Sequence, residues 1–290
     1  MKILHLDSGR EMRGGQWQAL RLHRGLIERG HQSLLLAREG SPLTTAARGA
    51  GLPCDILRVG RLPRGFDLIH AHDARSHTLG ALFARVPLIV SRRVAFPVRD
   101  SPLSRWKYGR ARLFLAVSRH VAVQLHRAGV EEARVTVVYD GVPVSAEPAQ
   151  GDTIFAPLTN DPQKGMALAE EAGKLAGVRI EFSTDLDADL PRARALVYLT
   201  QSEGLGSAIL LGMAHGITVI GSGVGGIPEL IEDGVNGILV PNEPEAIAAA
   251  LSRIDPGLGM AARATVKERF TEECMVQATL AAYERVLTNA

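Results

Sequence analysis

ALVYLTQSEGLGSAILLGMAHGITVIGS, residues 195–222, decides the fold. An apolar run (195–200) enters a polar, glycine-rich turn. Small and aliphatic residues follow, and a second apolar run (217–222) closes the unit. Short runs that are apolar at nearly every position are what strands buried on both faces look like, and the segment between them has the length of a crossover helix. Repetition of such a strand–helix–strand unit builds a parallel sheet.

The same alternation fills the rest of the chain. KILHLD (2–7), QSLLLA (32–37), CDILRV (54–59), DLIHAH (67–72), PLIVSR (87–92), LFLAVS (113–118) and RVTVVYD (134–140) read as strands, with a helix over WQALRLHRGLIERG that ends on Gly30. GVPVSAEPAQGD (141–152), with two Pro and two Gly, reads as a linker. Beyond it TIFAPL (153–158), VRIEFS (178–183) and GILVP (237–241) complete a second strand set. EPEAIAAALSRI (243–254), MAARATVKERF (260–270) and TEECMVQATLAAYERVLTNA (271–290) read as helices. In the last, Met275, Leu280, Tyr283, Val286 and Leu287 recur at helical spacing. The expected class is α/β: two doubly wound domains facing each other across a cleft, with ligands at the carboxyl ends of the strands.

Composition narrows the function classes. The 290 residues are 46% hydrophobic and 22% charged, which suits packed cores and excludes a disordered chain. Aromatics at 4% argue against a stacking nucleic-acid binder. No apolar run approaches the roughly 20 residues of a membrane span, and Asp7 interrupts any signal-peptide core. Cys54 and Cys274 stand far apart with no CxxC, as in a cytosolic protein. The net charge of +2 hides a split: residues 1–145 hold 23 Lys and Arg against 11 Asp and Glu, and residues 146–290 hold 10 against 20. Such asymmetry suggests two domains with different partners. The basic half is either a solvated surface or a face for an anionic substrate or the anionic inner leaflet.

Five constellations could carry chemistry, each with an ordinary strand–helix turn or surface residue as the competing reading. In Ser8–Gln16 (SGREMRGGQ), adjacent Gly14 and Gly15 allow close backbone approach, and amides at a helix N-terminus favour anions. His70, His72 and Asp73 close the fourth strand. The two histidines share a strand face without a third or fourth metal ligand, so no metal is expected. Gln163, Lys164 and Gly165 follow TIFAPL, where a lysine can meet a diphosphate as a point charge. Between Thr200 and Gly216 the amides of Gly206, Ser207 and Ala208 would project from a helix N-terminus as a diphosphate cradle. Glu203 beside them makes sense if it grips sugar hydroxyls. GSGVGGIPE (221–229) has dinucleotide-type spacing at Gly221, Gly223 and Gly226. It lies too far from a first strand for that fingerprint, and Pro228 opens a helix in the usual way.

Taken in order, RGGQ, DLIHAHD, LAVSRHVAVQL, VVYDGV, KG and the long segment from Ser202 to Val240 resemble glycosyltransferase family 4, whose fold is the two-Rossmann GT-B architecture. The resemblance implies retaining transfer of a sugar from a UDP- or GDP-sugar donor to a glycan or lipid-linked acceptor, without metal or cofactor, in cell-envelope polysaccharide or lipopolysaccharide assembly. It implies an acceptor-binding domain over 1–145, to which a terminal helix (275–290) returns, and a nucleotide-sugar domain over 146–274. The location implied is cytoplasmic, at the inner face of the membrane.

By the same resemblance His72 and Glu203 are the catalytic pair. Gly14, Gly15 and Lys164 meet the donor phosphates, and Gly204, Leu205, Gly206 and Ser207 hold phosphate and sugar. Gln16, Asp73, Arg92 and Arg93 fall on the acceptor side. The chain departs from the pattern in three places. Leu211 stands where the second glutamate of the family's Glu-x7-Glu motif belongs, the Arg that precedes the KG lysine is missing, and the stretch from Lys164 to Glu203 is short. Leu211 and the missing Arg motivate a second reading, a degenerate member that binds nucleotide or sugar without turnover. A nicotinamide oxidoreductase is the third.

Overall fold

The computed structural model describes residues 1–288. Positions 289 and 290, the end of the terminal helix read from sequence, lie outside them. The chain divides into two compact units, Met1–Asp140 together with the chain from Glu272 onward, and Gly141–Thr271. These breaks fall a few residues before the 145/146 and 274/275 read from composition and motif.

The first unit holds seven strands: β1 (Lys2–Asp7), β2 (Gln32–Ala37), β3 (Cys54–Ile56), β4 (Leu68–Ala71), β5 (Leu88–Arg92), β6 (Leu113–Ala116) and β7 (Val135–Val137). Their order is β3-β2-β1-β4-β5-β6-β7, and every pairing is parallel. Strand order reverses between β1 and β4, and that switch point is where a doubly wound sheet opens a crevice beyond its strand ends. On one sheet face Ile3, Leu68, Ile89 and Leu115 meet Leu22 and Leu26 of the helix Gly14–Glu28. The same cluster contains Met275, Val276, Tyr283 and Val286 of the helix Glu272–Thr288, so the terminal helix completes the first unit's core. Arg21 and Arg24 both pair with Glu272 and pin the start of that helix.

The second unit holds β8 (Thr153–Pro157), β9 (Ile180–Ser183), β10 (Ala193–Tyr198), β11 (Thr218–Ser222) and β12 (Ile238–Val240), in the order β12-β11-β10-β8-β9, again all parallel. Its switch point lies between β8 and β10. Between Lys164 and Glu203 the chain builds the helix Met166–Ala176, β9, a short helix at Leu186–Asp189 and β10. Among the described residues no helix is long and apolar enough to cross a membrane.

Candidate functional site

Each switch point carries a cluster of polar side chains. In the second unit, β8 leads into the turn Pro162–Lys164, whose first residue follows an Asp161 cap. Gly165 comes next at φ 61°. A Cβ there would sit 2.5 Å from Cβ of Leu199, so only glycine lets the turn close against the end of β10. This places Nζ of Lys164 2.8 Å from Oε2 of Glu203 and 3.3 Å from the hydroxyl of Tyr198. The Tyr198 hydroxyl donates to the same Oε2 at 2.5 Å, and Oε1 accepts the Gly204 amide at 3.0 Å. Burial, with the Glu203 carboxylate beside it, pushes the Tyr198 phenol well above its usual range. Sequence reading passed over Tyr198, because an aromatic inside an apolar strand carries no visible polar duty.

Gly206 stands at φ 107° as the cap of the helix Ser207–Ala214, with no side chain closing its first turn. The amides of Ser207 and Ala208 open that turn, with no earlier helical carbonyl to bond, as a cradle for an anion requires. Leu205 is buried beneath them. Leu211 is half-buried on this helix, unlike its neighbours Ile209, Leu210 and Met213. The glycine run after β11 packs against this loop: a Cβ on Gly225 would lie 2.0 Å from the Glu203 carbonyl oxygen, and that carbonyl accepts the Gly226 amide. Here the glycines of GSGVGGIPE shape the Glu203 turn. A cavity of about 610 Å3 lined by Thr159, Pro162, Gly165, Thr200, Gln201 and Asn242 adjoins the cluster.

In the first unit Asp73 caps the helix Ala74–Phe83 and ties β4 to β1. Its two oxygens accept the Arg75 and Ser76 amides, the Ser76 hydroxyl, and both the amide and hydroxyl of Ser8. Burial alone would raise this carboxyl, but the bonds from Ser76 and Ser8 outweigh it and hold it below the usual range. An acceptor-contacting Asp73 was the expectation; the structure commits the carboxylate to the cap. Asp7, fully buried at the end of β1, accepts the Gly9 amide and both oxygens meet Nε2 of Gln16. Burial and the neighbouring Asp73 push Asp7 up to about 6. Gln16 thereby braces the loop that carries Gly14 and Gly15, which begin the helix Gly14–Glu28. Gly9, absent from the sequence reading, leaves room for this contact, since a Cβ there would lie 2.6 Å from Nε2 of Gln16 and the amide would have to shift.

His72 follows β4 and is buried, as are His5, His23 and His70. Nδ1 of His72 faces Nη1 of Arg93 at 3.4 Å, and its Nε2 lies 2.9 Å from Nδ1 of His5. A guanidinium only donates, so Nδ1 of His72 is the lone-pair nitrogen and Nε2–H donates to His5. His5 then carries its proton on Nε2, a buried atom with no partner among the described residues. Burial first, then the neighbouring imidazoles and Arg93, hold His72 well below its ordinary value, so it is neutral. Arg93 also donates through Nε to Asp140 at 3.0 Å, a residue not singled out from sequence. Arg92 turns away, donating to the Tyr108 hydroxyl and the Phe96 carbonyl.

The structure supplies the third imidazole that spacing did not show, because parallel pairing sets His5 opposite His70. Ligand atoms of His5, His70 and His72 lie within 4.8 Å of one another. Both His70 nitrogens are engaged, with the Tyr283 hydroxyl at 2.6 Å and Ser91 Oγ at 2.8 Å, and Arg93 faces His72. Hydrogen bonds thus engage all three imidazoles, His72 with His5, and His70 with Tyr283 and Ser91.

Residues 12–146 match the family model described as Glycosyltransferase Family 4, and residues 158–254 match Glycosyl transferases group 1. The chain is 35% identical over 119 residues to a D-inositol 3-phosphate glycosyltransferase of Streptomyces griseus, covering 37% of this chain and 25% of that protein. It is 40% identical over 77 residues to the amylovoran biosynthesis glycosyltransferase AmsK of Erwinia amylovora, covering 24% and 19%. The matched segments thus span a quarter or less of those curated relatives. Among solved structures, Alr3699/HepE of Anabaena in complex with UDP and glucose superposes with a TM-score of 0.84 at 17% identity, over 98% of this chain and 99% of that one. A glycosyltransferase of Rickettsia africae gives 0.79 at 17%, over 100% and 99%.

Proposed function

We infer, from the premise that this chain belongs to the glycosyltransferases, family 4 in its N-terminal part and group 1 in its C-terminal part, that it transfers a sugar from a nucleotide-sugar donor. The observation that carries the reading is the second unit's switch point, where Lys164, Glu203 and the open amides of Ser207 and Ala208 gather around one turn. When a glycosyl group leaves a nucleoside diphosphate, negative charge accumulates on the departing phosphate. Fixed N–H donors and an ammonium are what stabilise that charge. Glu203 is left for the hydroxyls of the transferred sugar. A UDP-sugar is the first candidate donor, since the Anabaena neighbour was crystallised with UDP and glucose.

In the first unit, His72 presents a neutral acceptor nitrogen at Nδ1, suited to a sugar hydroxyl that donates to it once Arg93 yields. Transfer with retention, to a glycan or lipid-linked acceptor of the cell envelope, is the form of the reaction we propose. Exposed Phe96, Leu103 and Trp106 stand among Arg99, Arg105 and Lys107, a mixed apolar and basic surface suited to such an acceptor at an anionic membrane face. The helix Pro102–Arg110 buries none of its residues.

A specific observation favours the second reading: Leu211 offers no hydroxyl ligand, and Lys164 is closed onto Glu203. Thermal shift across UDP, GDP, their nucleotide sugars and the free sugars, followed by an assay of donor hydrolysis and transfer, separates the two. Stabilisation by a nucleoside diphosphate with turnover supports the transferase. Binding without turnover against any acceptor leaves the degenerate member, and a chain that binds neither nucleotide, nucleotide sugar nor free sugar overturns both.

A further inference from the structure

Parallel strands are ordinarily joined through a helix laid on the sheet. Residues 57–67, which join β3 to β4, contain none. Leu35 and Ala37 pack with Leu43 and Ala47 on one side of β2, so the alternation of the strand sends Leu34 and Leu36 to the other. With Ile69 and Phe83 they floor a groove of about 1030 Å3, and the helix-free crossover forms its outer wall. That wall carries Arg58, Arg61 and Arg64, all exposed, and Arg85 completes the rim. Among the described residues none of these four has a carboxylate within ion-pair distance. The acid on the lining, Asp55, has Oδ1 engaged by the Ile56 amide. Val59, between the arginines at the tip of the crossover, is 68% exposed.

We propose that this groove binds a single anionic lipid, its alkyl chain laid along Leu34, Leu36 and Ile69 and its phosphate held by Arg58, Arg61 and Arg64. The floor is apolar, so it rewards a methylene chain and offers a nucleotide base little to bond. The unpaired guanidinium groups above it suit a phosphate, which they can hold by paired, charge-assisted hydrogen bonds. The volume is of the order that ligand sites reach. The groove is flanked by the residues that precede β4 and β5, whereas His72 and Asp73 follow β4. Lipid binding here is therefore a separate property, and it stands whether or not the chain transfers sugar.

Calorimetric titration of the full chain with dodecyl phosphate below its micelle concentration tests this, with octyl phosphate, inorganic phosphate and dodecyl maltoside as comparators. Affinity should rise by up to about fourfold for each methylene the groove buries. Inorganic phosphate and the neutral maltoside should each bind at least roughly a hundredfold more weakly than dodecyl phosphate. The variant Arg58→Ala/Arg61→Ala/Arg64→Ala should lose about fivefold per arginine, roughly a hundredfold in all. Leu62→Asp, on the loop side of the groove, should flatten the dependence on chain length. Equal affinity for octyl and dodecyl phosphate, or inorganic phosphate binding as tightly, overturns the proposal in favour of an unspecific cationic surface. Maltoside binding as tightly overturns it in favour of a bare apolar patch. If the triple variant does not fold, the chain-length series on the unmodified protein and Leu62→Asp still decide.

Discussion

Lys164 and Glu203, 39 positions apart in the chain, form one ion pair at 2.8 Å, with the Tyr198 hydroxyl on the same carboxylate oxygen. Both residues were expected in the donor site, but as separate ligands of phosphate and sugar. Their pairing couples the two functions. The diphosphate must compete with Glu203 for the ammonium, and the sugar hydroxyls must compete with Lys164 for the carboxylate.

The coupling makes the two substitutions opposite in sign. Lys164→Ala should weaken UDP binding by ~1.5–3 kcal/mol, the worth of a charge-assisted hydrogen bond. Glu203→Gln should free the ammonium and tighten bare UDP by about 1 kcal/mol, because the pair is partly exposed and each charge is only partly spent. In the double variant the gain should vanish. Calorimetry on all three closes the cycle, and a Glu203→Gln protein that binds UDP more weakly would show that the carboxylate contacts nucleotide directly.

Leu211→Glu should fold. Its side chain is half-buried, so the new carboxylate keeps contact with water, unlike one placed at Ile209 or Leu210. Restoring the motif glutamate should tighten UDP by ~1–3 kcal/mol through a ribose hydroxyl. A melting temperature near that of the unmodified protein with unchanged UDP affinity would mean that the nucleotide sits elsewhere.

His5 fixes the tautomer of His72. In His5→Leu the buried Nε2–H loses its acceptor, and stability should fall by about 1–3 kcal/mol in a denaturant titration. His5→Asn keeps an oxygen near the old Nδ1 position and should restore much of that loss. Long-range 15N–1H NMR correlations should report an unprotonated Nδ1 in His72 of the unmodified protein and of His5→Asn. A His72 protonated on Nδ1 would contradict the direction of the Arg93–His72–His5 chain.

Stability should fall as pH drops from about 7 to 5. Burial lowers His23 from 6.5 to about 4, and it drives His5, His70 and His72 well below their ordinary value. A group whose folded pKa is depressed in this way stabilises above its unfolded value and loses that contribution as protons bind the unfolded chain. For His23 alone the loss reaches about 3 kcal/mol by pH 4. Asp7 opposes it, since its folded value of about 6 against 3.8 makes stability rise as pH falls through the same window. Several histidines outweigh one aspartate, so the net slope is downward. Thermal melts in matched ionic strength from pH 7.5 to 5 check the sign, and a melting temperature that rises toward pH 5 would assign control to Asp7.

Sequence patterning determined the strands and their class. All twelve expected strand segments form, β1 and β2 at the expected bounds and the others shifted or shortened at an end, because runs apolar at nearly every position can be buried only between helix layers. The glycine-rich turn before Ser207 was equally legible, since left-handed backbone at Gly206 and an open helix start are local properties of the chain. Tertiary structure alone decided which side chains meet. His5 reaches His72 only because β1 pairs with β4 across an order reversal, and Tyr283 reaches His70 only because the last helix packs on the first sheet. Lys164 lost its free charge to Glu203, and Asp73 its free carboxylate to Ser8, through contacts between segments distant in sequence. The physical reason is range. Propensity and periodicity act within a few residues, whereas hydrogen-bond partners and shifted pKa values depend on what burial brings within about 3 Å.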